Sequence, residues 1–309
     1  MSMLGRMVQF VLLISAGCLF GRLSRQRDCM REMLNSLILD LVLPCNILIS
    51  FVGASLDDES ALAMLEVTAG SVAYMLLAFV LNTFLYRCFA KDEQPSLKYA
   101  TMIPNCAFLG TPLCESMYDA TGLMLSSIYQ IPERIVVWVF APLYYDRKSA
   151  QSARSALRML CSNPCVLAVF LGLAMMVARI QLPEILLSPI EKLGNCSTPL
   201  SMVMIGMVFA DIRLRDMLNW KALYFCLLRL LVIPVLVLLA CFPFRGVVPS
   251  AVLGVIVIMA ALPGGTVAVL LAERHGLAAR FASQCMILST LLSCITLPLW
   301  SAVLEWAFV

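Results

Sequence analysis

The stretch Ile103-Pro104-Asn105-Cys106-Ala107-Phe108-Leu109-Gly110-Thr111-Pro112, set beside Ala260-Ala261-Leu262-Pro263-Gly264-Gly265-Thr266, decides the fold. Each lies inside a long apolar run, and in each a proline stands near glycine. Proline removes a backbone donor and collides with the preceding turn, while glycine relaxes the backbone, so both helices are expected to be interrupted there. In hydrocarbon the freed amides and carbonyls need partners, and broken backbone is tolerated only where protein packs on it or it lines a polar cavity. Half-helix N-termini at such a break carry partial positive charge, which suits an anion. A plain kink would explain either stretch alone. Two of them in matching positions favour a substrate site, and Pro104, Asn105, Thr111, Pro263, Gly264, Gly265 and Thr266 are its candidate residues.

The rest of the chain supplies the membrane. It has 309 residues, 61% hydrophobic and 13% charged, with a mean hydropathy of +0.92; a water-soluble enzyme is excluded. A net charge of +3 without a long basic block sets nucleic-acid binding aside. The 13 cysteines lie mostly in apolar runs and form no CxxC pair, which argues against a disulfide framework and against a metal site. Long apolar runs bounded by charged or turn-forming clusters give ten spans, near 3–22, 33–53, 61–86, 97–117, 122–145, 163–180, 193–212, 219–242, 247–272 and 278–306.

Charge orients them, because cytoplasmic connections retain Lys and Arg. With the N-terminus outside, the inside connections hold most of the 22 basic residues, among them Arg22, Arg25, Arg27 and Arg31 in the first and Arg147, Lys148, Arg154 and Arg158 in the third. Both ends are then expected outside. Ser15-Ala16-Gly17-Cys18 weakly resembles a lipoprotein cleavage site, but the arginine cluster that follows reads as a stop-transfer signal, so span one is expected to be retained.

Landmarks recur between the halves at nearly constant offset: Gly17 and Gly172, Pro44 and Pro199, Pro104 and Pro263, Pro142 and Pro298 lie 155 to 159 residues apart. Five spans per half is an odd number, so the second half runs inverted through the bilayer, the pattern of an inverted-repeat secondary transporter. Coincidence among 15 prolines and 15 glycines is the competing account. The expected division is a first repeat over 1–145, a cytoplasmic connection over 146–162 and a second, inverted repeat over 163–309.

Other polar groups at membrane depth carry two readings each. Asn105 can bond a carboxylate and freed backbone together, or merely cap the broken helix. Asn46 joins the candidate site from span two. Asp40 either binds a proton or pairs with an arginine near the cytoplasmic side. Arg134 and Arg229 sit near mid-membrane, where either supplies a full positive charge to an anion or makes a structural ion pair with Glu115, Glu133 or Glu66. His275 reads as a solvated loop residue, and Asn195-Cys196-Ser197 as a chance glycosylation pattern at a span entrance.

At these residues the chain resembles the auxin efflux carrier family, which includes plant PIN auxin transporters and bacterial malate-type permeases for organic acids. The resemblance rests on Pro104-Asn105 with Gly110-Thr111-Pro112-Leu113 and Met117-Tyr118, and on Ala261-Leu262-Pro263-Gly264-Gly265. Asn163-Pro164, Leu171-Gly172-Leu173, Met204-Ile205-Gly206 and Leu297-Pro298-Leu299 support it. It implies an all-α membrane protein of ten helices with broken spans four and nine crossing at mid-bilayer, a scaffold of spans one, two, six and seven, and a mobile bundle of spans three to five and eight to ten. It also implies carboxylate substrates and a substrate contact at Asn105. Gly264 stands where some relatives have a polar side chain, and the long cytoplasmic loop of the larger plant carriers is missing.

The expected function is therefore alternating-access transport of a small organic anion by a multi-pass protein of the plasma (inner) membrane. No GxxxxGK[ST] loop occurs, so no nucleotide or other cofactor is expected. The lipid bilayer and the anion are the expected partners, with a proton or sodium as coupling ion and a homodimer left open. A sodium-coupled symporter of the bile acid carrier type is the nearest rival, and a channel is another. A membrane-embedded enzyme is weaker, since Tyr118-Asp119 has no GxGD partner and neither HExxH nor GxSxG occurs.

Overall fold

A computed structural model describes residues 3–24, 26–52, 57–145, 163–180, 182–210, 219–265 and 267–308. Among them the chain is helical and contains no strand. Helix α1 covers Met3–Leu23. Helices α2 (Arg27–Leu37) and α3 (Leu43–Phe51) are joined through a π turn at Ile38–Val42. Next come α4 (Asp58–Leu85), α5 (Gln94–Met102), a π turn at Cys106–Gly110, and α6 (Thr111–Tyr145). Helix α6 is two helical stretches that meet at Tyr118 and Asp119, where Asp119 has a φ of 52°. The second half has α7 (Pro164–Val177), α8 (Glu184–Gly194) and α9 (Ser197–Phe209). Helices α10 (Trp220–Leu227) and α11 (Ile233–Cys241) flank a π turn at Leu228–Val232. Helices α12 (Ser250–Ala261), α13 (Val267–Arg274) and α14 (Ala279–Phe308) complete the chain.

Among the described residues four helical runs are long and apolar enough to cross a membrane: Cys29–Phe51, Asp58–Leu85, Trp220–Phe244 and Ala279–Phe308. Val8–Leu23, Pro164–Val177 and Ser250–Ala261 are apolar but shorter. Leu12, Leu65, Leu76, Leu239 and Ile295 are each more than half exposed. A protein in water rarely leaves so many large apolar side chains uncovered, whereas lipid covers them at no cost.

All three π turns end two residues before a proline: Pro44, Pro112 and Pro234. Without an N–H, proline cannot bond the carbonyl four residues back, and one widened turn relieves the clash. The carbonyl left over by Pro234 is that of Leu230, which accepts from Trp300 Nε1 at 2.8 Å. At its exposed start α4 is held by a reciprocal cap. Ser60 N–H donates to Asp57 Oδ1 at 2.8 Å and Asp57 N–H donates to Ser60 Oγ at 3.1 Å. The Ser60 hydrogen bonds keep the Asp57 carboxyl below its ordinary pKa.

The chain forms two compact units that interleave the sequence halves. Unit one gathers Met1–Leu65, Ala107–Ile128 and Met159–Ile212; unit two gathers Glu66–Cys106, Tyr129–Arg158 and Arg213–Val309. In unit one, α1 and α9 touch backbone to backbone. A Cβ on Gly17 would collide with Val203 O, and one on Gly206 with Ile14 O, the close approach that small residues permit between membrane helices.

In unit two, the start of α10 meets the connection before α5 and the start of α14. Lys221 Nζ bonds both carboxylate oxygens of Glu93, at 2.8 and 2.9 Å. It also lies 5.9 Å from the ring centroids of both Phe89 and Phe281.

Candidate functional site at the crossing of two broken helices

Helix α5 ends at Met102 and helix α12 at Ala261, each a residue or two before its proline. The residues after them run extended, with Ile103 at φ −118°, ψ 90° and Leu262 at φ −67°, ψ 151°. The two extended pieces then pair with each other. Pro104 and Gly264 form an isolated antiparallel bridge, Asn105 N–H donates to Pro263 O at 3.0 Å, and Gly265 N–H donates to Ile103 O at 3.2 Å. These bonds give the amides and carbonyls that the breaks release a partner inside the protein. Glycine is required here by proximity. A Cβ on Gly264 would sit 2.5 Å from Met286 Sδ, and one on Gly265 would sit 2.9 Å from Ile103 O.

The C-terminal ends of the half-helices are capped by buried donors. Tyr74 Oη donates to Thr101 O at 2.6 Å, and Arg229 Nη1 donates to Ala260 O at 2.6 Å. Thr101 and Ala260 each lie three residues before their proline. Tyr74 and Arg229 are themselves 155 residues apart, the offset that relates the sequence halves. The guanidinium carbon stands 5.9 Å from the Tyr74 ring centroid, so the two caps meet. Helix C-termini are partly negative, and Arg229, fully buried, puts its cation on one of them; its Nε and Nη2 have no hydrogen-bond partner among the described residues. The N-terminal ends, at Cys106 and Val267, follow the paired segments directly.

Of the expected site residues, Pro104, Asn105, Pro263, Gly264 and Gly265 thus come together in unit two. The Asn105 backbone is committed to Pro263, but its side chain, half-buried, makes no hydrogen bond among the described residues. The capping alternative for this amide finds no bond to carry it. Thr266 lies outside the described residues. Arg134 falls within α6, and its side chain lies outside the described residues.

Asn46, Thr111 and Glu115 belong to unit one. Asn46 Nδ2 donates to Glu115 Oε2 at 3.3 Å, and Thr198 Oγ1 donates to the same oxygen at 3.2 Å. Asn46 is buried, and Gly194 packs against its backbone so closely that a Cβ there would reach 2.9 Å from Asn46 Cα. Thr111 is fully buried at the start of α6. Asp40 lies on the π turn of Ile38–Val42 and is exposed. Sequence reasoning missed Tyr74 and Thr198. The first was findable by applying the 155-residue offset to Arg229; the second had no signal, because its partner is 83 residues away.

An α-helical membrane protein in which two interrupted helices exchange backbone hydrogen bonds has the framework of a membrane transporter. The chain matches the family described as membrane transport protein over residues 3–301, and it belongs to that family, the auxin efflux carrier family. It is also similar to an "uncharacterized transporter" of Methanothermobacter thermautotrophicus, 26% identical over 279 residues that cover 88% of each chain.

Proposed function

We propose that this protein is a secondary transporter of small organic anions, carboxylates in particular, working by alternating access around the crossing of residues 103–105 and 263–265. The observation that carries the reading is the Pro104–Gly264 bridge with the Asn105 side-chain amide beside it, which makes no hydrogen bond among the described residues. An amide donates and accepts, so it suits a carboxylate. The sign of the site favours an anion as well: the negative helix ends are covered by Tyr74 and Arg229, while the positive ends begin at the crossing.

The ten spans form two inverted five-helix repeats, and the paired roles of Tyr74 and Arg229 support that symmetry. Unit one, with α1, α2, α3, α7, α8 and α9, is the scaffold. Unit two is the moving bundle, although 107–128 groups with the scaffold. Thr266 extends the site and Arg134, also of unit two, is a further charge there; within unit one, Thr111, Asn46, Glu115 and Asp40 are the polar groups that this reading assigns to substrate contact, charge or coupling. The protein lies in the plasma membrane with both termini outside, where an inside-negative potential drives an anion outward.

Exchange in proteoliposomes tests the proposal. Preloading with a transported mono- or dicarboxylate should accelerate uptake of the labelled acid, and the flux should saturate. Flux that neither saturates nor responds to preloading would replace the carrier with a channel, and dependence on sodium would favour the symporter reading.

A further inference from the structure

Unit two contains a cavity of about 460 Å³ away from the crossing, between α4, α11 and α12. Its α4 wall runs from Glu66 to Leu77, eleven residues or about 16 Å along the axis, and Ile256 of α12 faces it. The cavity is therefore a long slot, and its walls are apolar apart from one end. There stands Glu66, whose Oε2 is buried and has no hydrogen-bond partner among the described residues. Phe244 and Val248, from the connection after α11, line the slot too. Arg245, exposed between them, is the basic side chain of that connection.

Depth identifies what fits. Helix α4 has 28 residues, about 42 Å, close to the full bilayer thickness with headgroups. Glu66 lies eight residues from the start of α4, about 12 Å in, which is roughly 5–7 Å past the headgroup layer and within the outer end of the hydrocarbon. A carboxylate at that depth is costly unless a cation with N–H donors reaches it. The slot below it is apolar and of small-ligand volume. A guanidinium beside its mouth suits a phosphate.

We propose that this slot is a binding site for an aminophospholipid of the phosphatidylethanolamine type. The ammonium bonds Glu66, the phosphate meets Arg245, and one acyl chain lies along α4 towards Leu77. Tyr74 lines the slot and caps Thr101, so a bound chain presses on a residue that holds the crossing. The site stands independently of what the crossing transports.

Melting of the purified protein in detergent with added short-chain lipids tests this. Phosphatidylethanolamine should raise the melting temperature by several degrees more than phosphatidylcholine, whose quaternary ammonium has no N–H. Glu66→Gln should abolish that difference, and Arg245→Gln should weaken the response to both lipids. Should Glu66→Gln fold poorly, Ala240→Phe, which fills the slot, should remove the response to both lipids. Equal stabilisation by the two lipids, or a preference that survives Glu66→Gln, would overturn the proposal. So would stabilisation by dodecylamine that matches phosphatidylethanolamine and ignores Arg245→Gln, since that assigns the slot to a free hydrophobic amine.

Discussion

Gly265→Ala is the sharpest perturbation of the crossing. A methyl group at 265 would stand 2.9 Å from Ile103 O and 3.4 Å from Pro104 O, whereas carbon–oxygen contacts settle at about 3.3–3.6 Å. Both obstacles are backbone, so the extended segments must separate by roughly half an ångström. That stretches the 3.2 Å bond from Gly265 N–H to Ile103 O beyond the range of a useful hydrogen bond. Leaving the two groups unmet costs about 1–3 kcal/mol, and the overpacking is of similar size. Because one displacement causes both, the total is about 2–4 kcal/mol, and for a chain of this length the melting temperature should fall by roughly 3–6 °C. Gly264→Ala is different, because the added carbon meets the flexible Met286 side chain, with Sδ at 2.5 Å, and Ala100 Cβ at 3.0 Å. Met286→Ala should therefore recover part of the loss in Gly264→Ala and none of it in Gly265→Ala. Thermal unfolding of the four proteins, followed by intrinsic fluorescence in detergent, reads all of this. The reasoning is refuted if Gly265→Ala melts within about 1 °C of the parent, as an ordinary surface change would, or if Met286→Ala restores it.

Tyr74→Phe leaves the Thr101 carbonyl unmet and should cost about 1–3 kcal/mol in the same melting assay. Combined with Arg229→Met it should be non-additive by about 0.5 kcal/mol or more, because the caps touch. Trp300→Phe should destabilise by a similar 1–3 kcal/mol. Pro234→Ala, which returns an N–H to Leu230 O, should recover part of that loss; equal losses in both backgrounds would show that the Leu230 carbonyl was never the cause. The cap on α4 predicts a pH dependence. Asp57 is depressed in the folded state, so its contribution is present above the unfolded value, near pH 4, and fades as pH falls through the lower folded value. The protection factors of residues 58–62 in hydrogen exchange, each taken against the intrinsic rate at the same pH, should hold down to about pH 4, fall below it, and be low throughout in Asp57→Ala.

The breaks were legible because proline and glycine act locally. Pro104 and Pro263 lack an N–H wherever they are placed, and two such residues in long apolar runs leave few other outcomes. Pairing between the broken segments was legible only indirectly, through the rule that freed backbone in lipid must find a partner. The π turns before Pro44 and Pro234 follow from the same chemistry. Arg229 was ambiguous because charge and depth do not tell a substrate contact from a cap; its bond to Ala260 O depends on how the chain returns after 31 residues. Glu115 was noticed as a charge, but Asn46 and Thr198 reach it from distant helices, and no spacing in the sequence announces that. Glu66, weighed only as an ion-pair partner, has an oxygen that the described residues leave unmet.

Asn105→Ala gives the most direct test of the account. It removes a side chain that makes no hydrogen bond among the described residues, so the melting temperature should stay within a few degrees of the parent. Trans-stimulated carboxylate exchange in proteoliposomes, and the stabilisation by that carboxylate, should be lost together. A variant that folds, melts normally and still exchanges the acid at the parent rate would contradict the claim that the crossing of 103–105 with 263–265 receives the substrate.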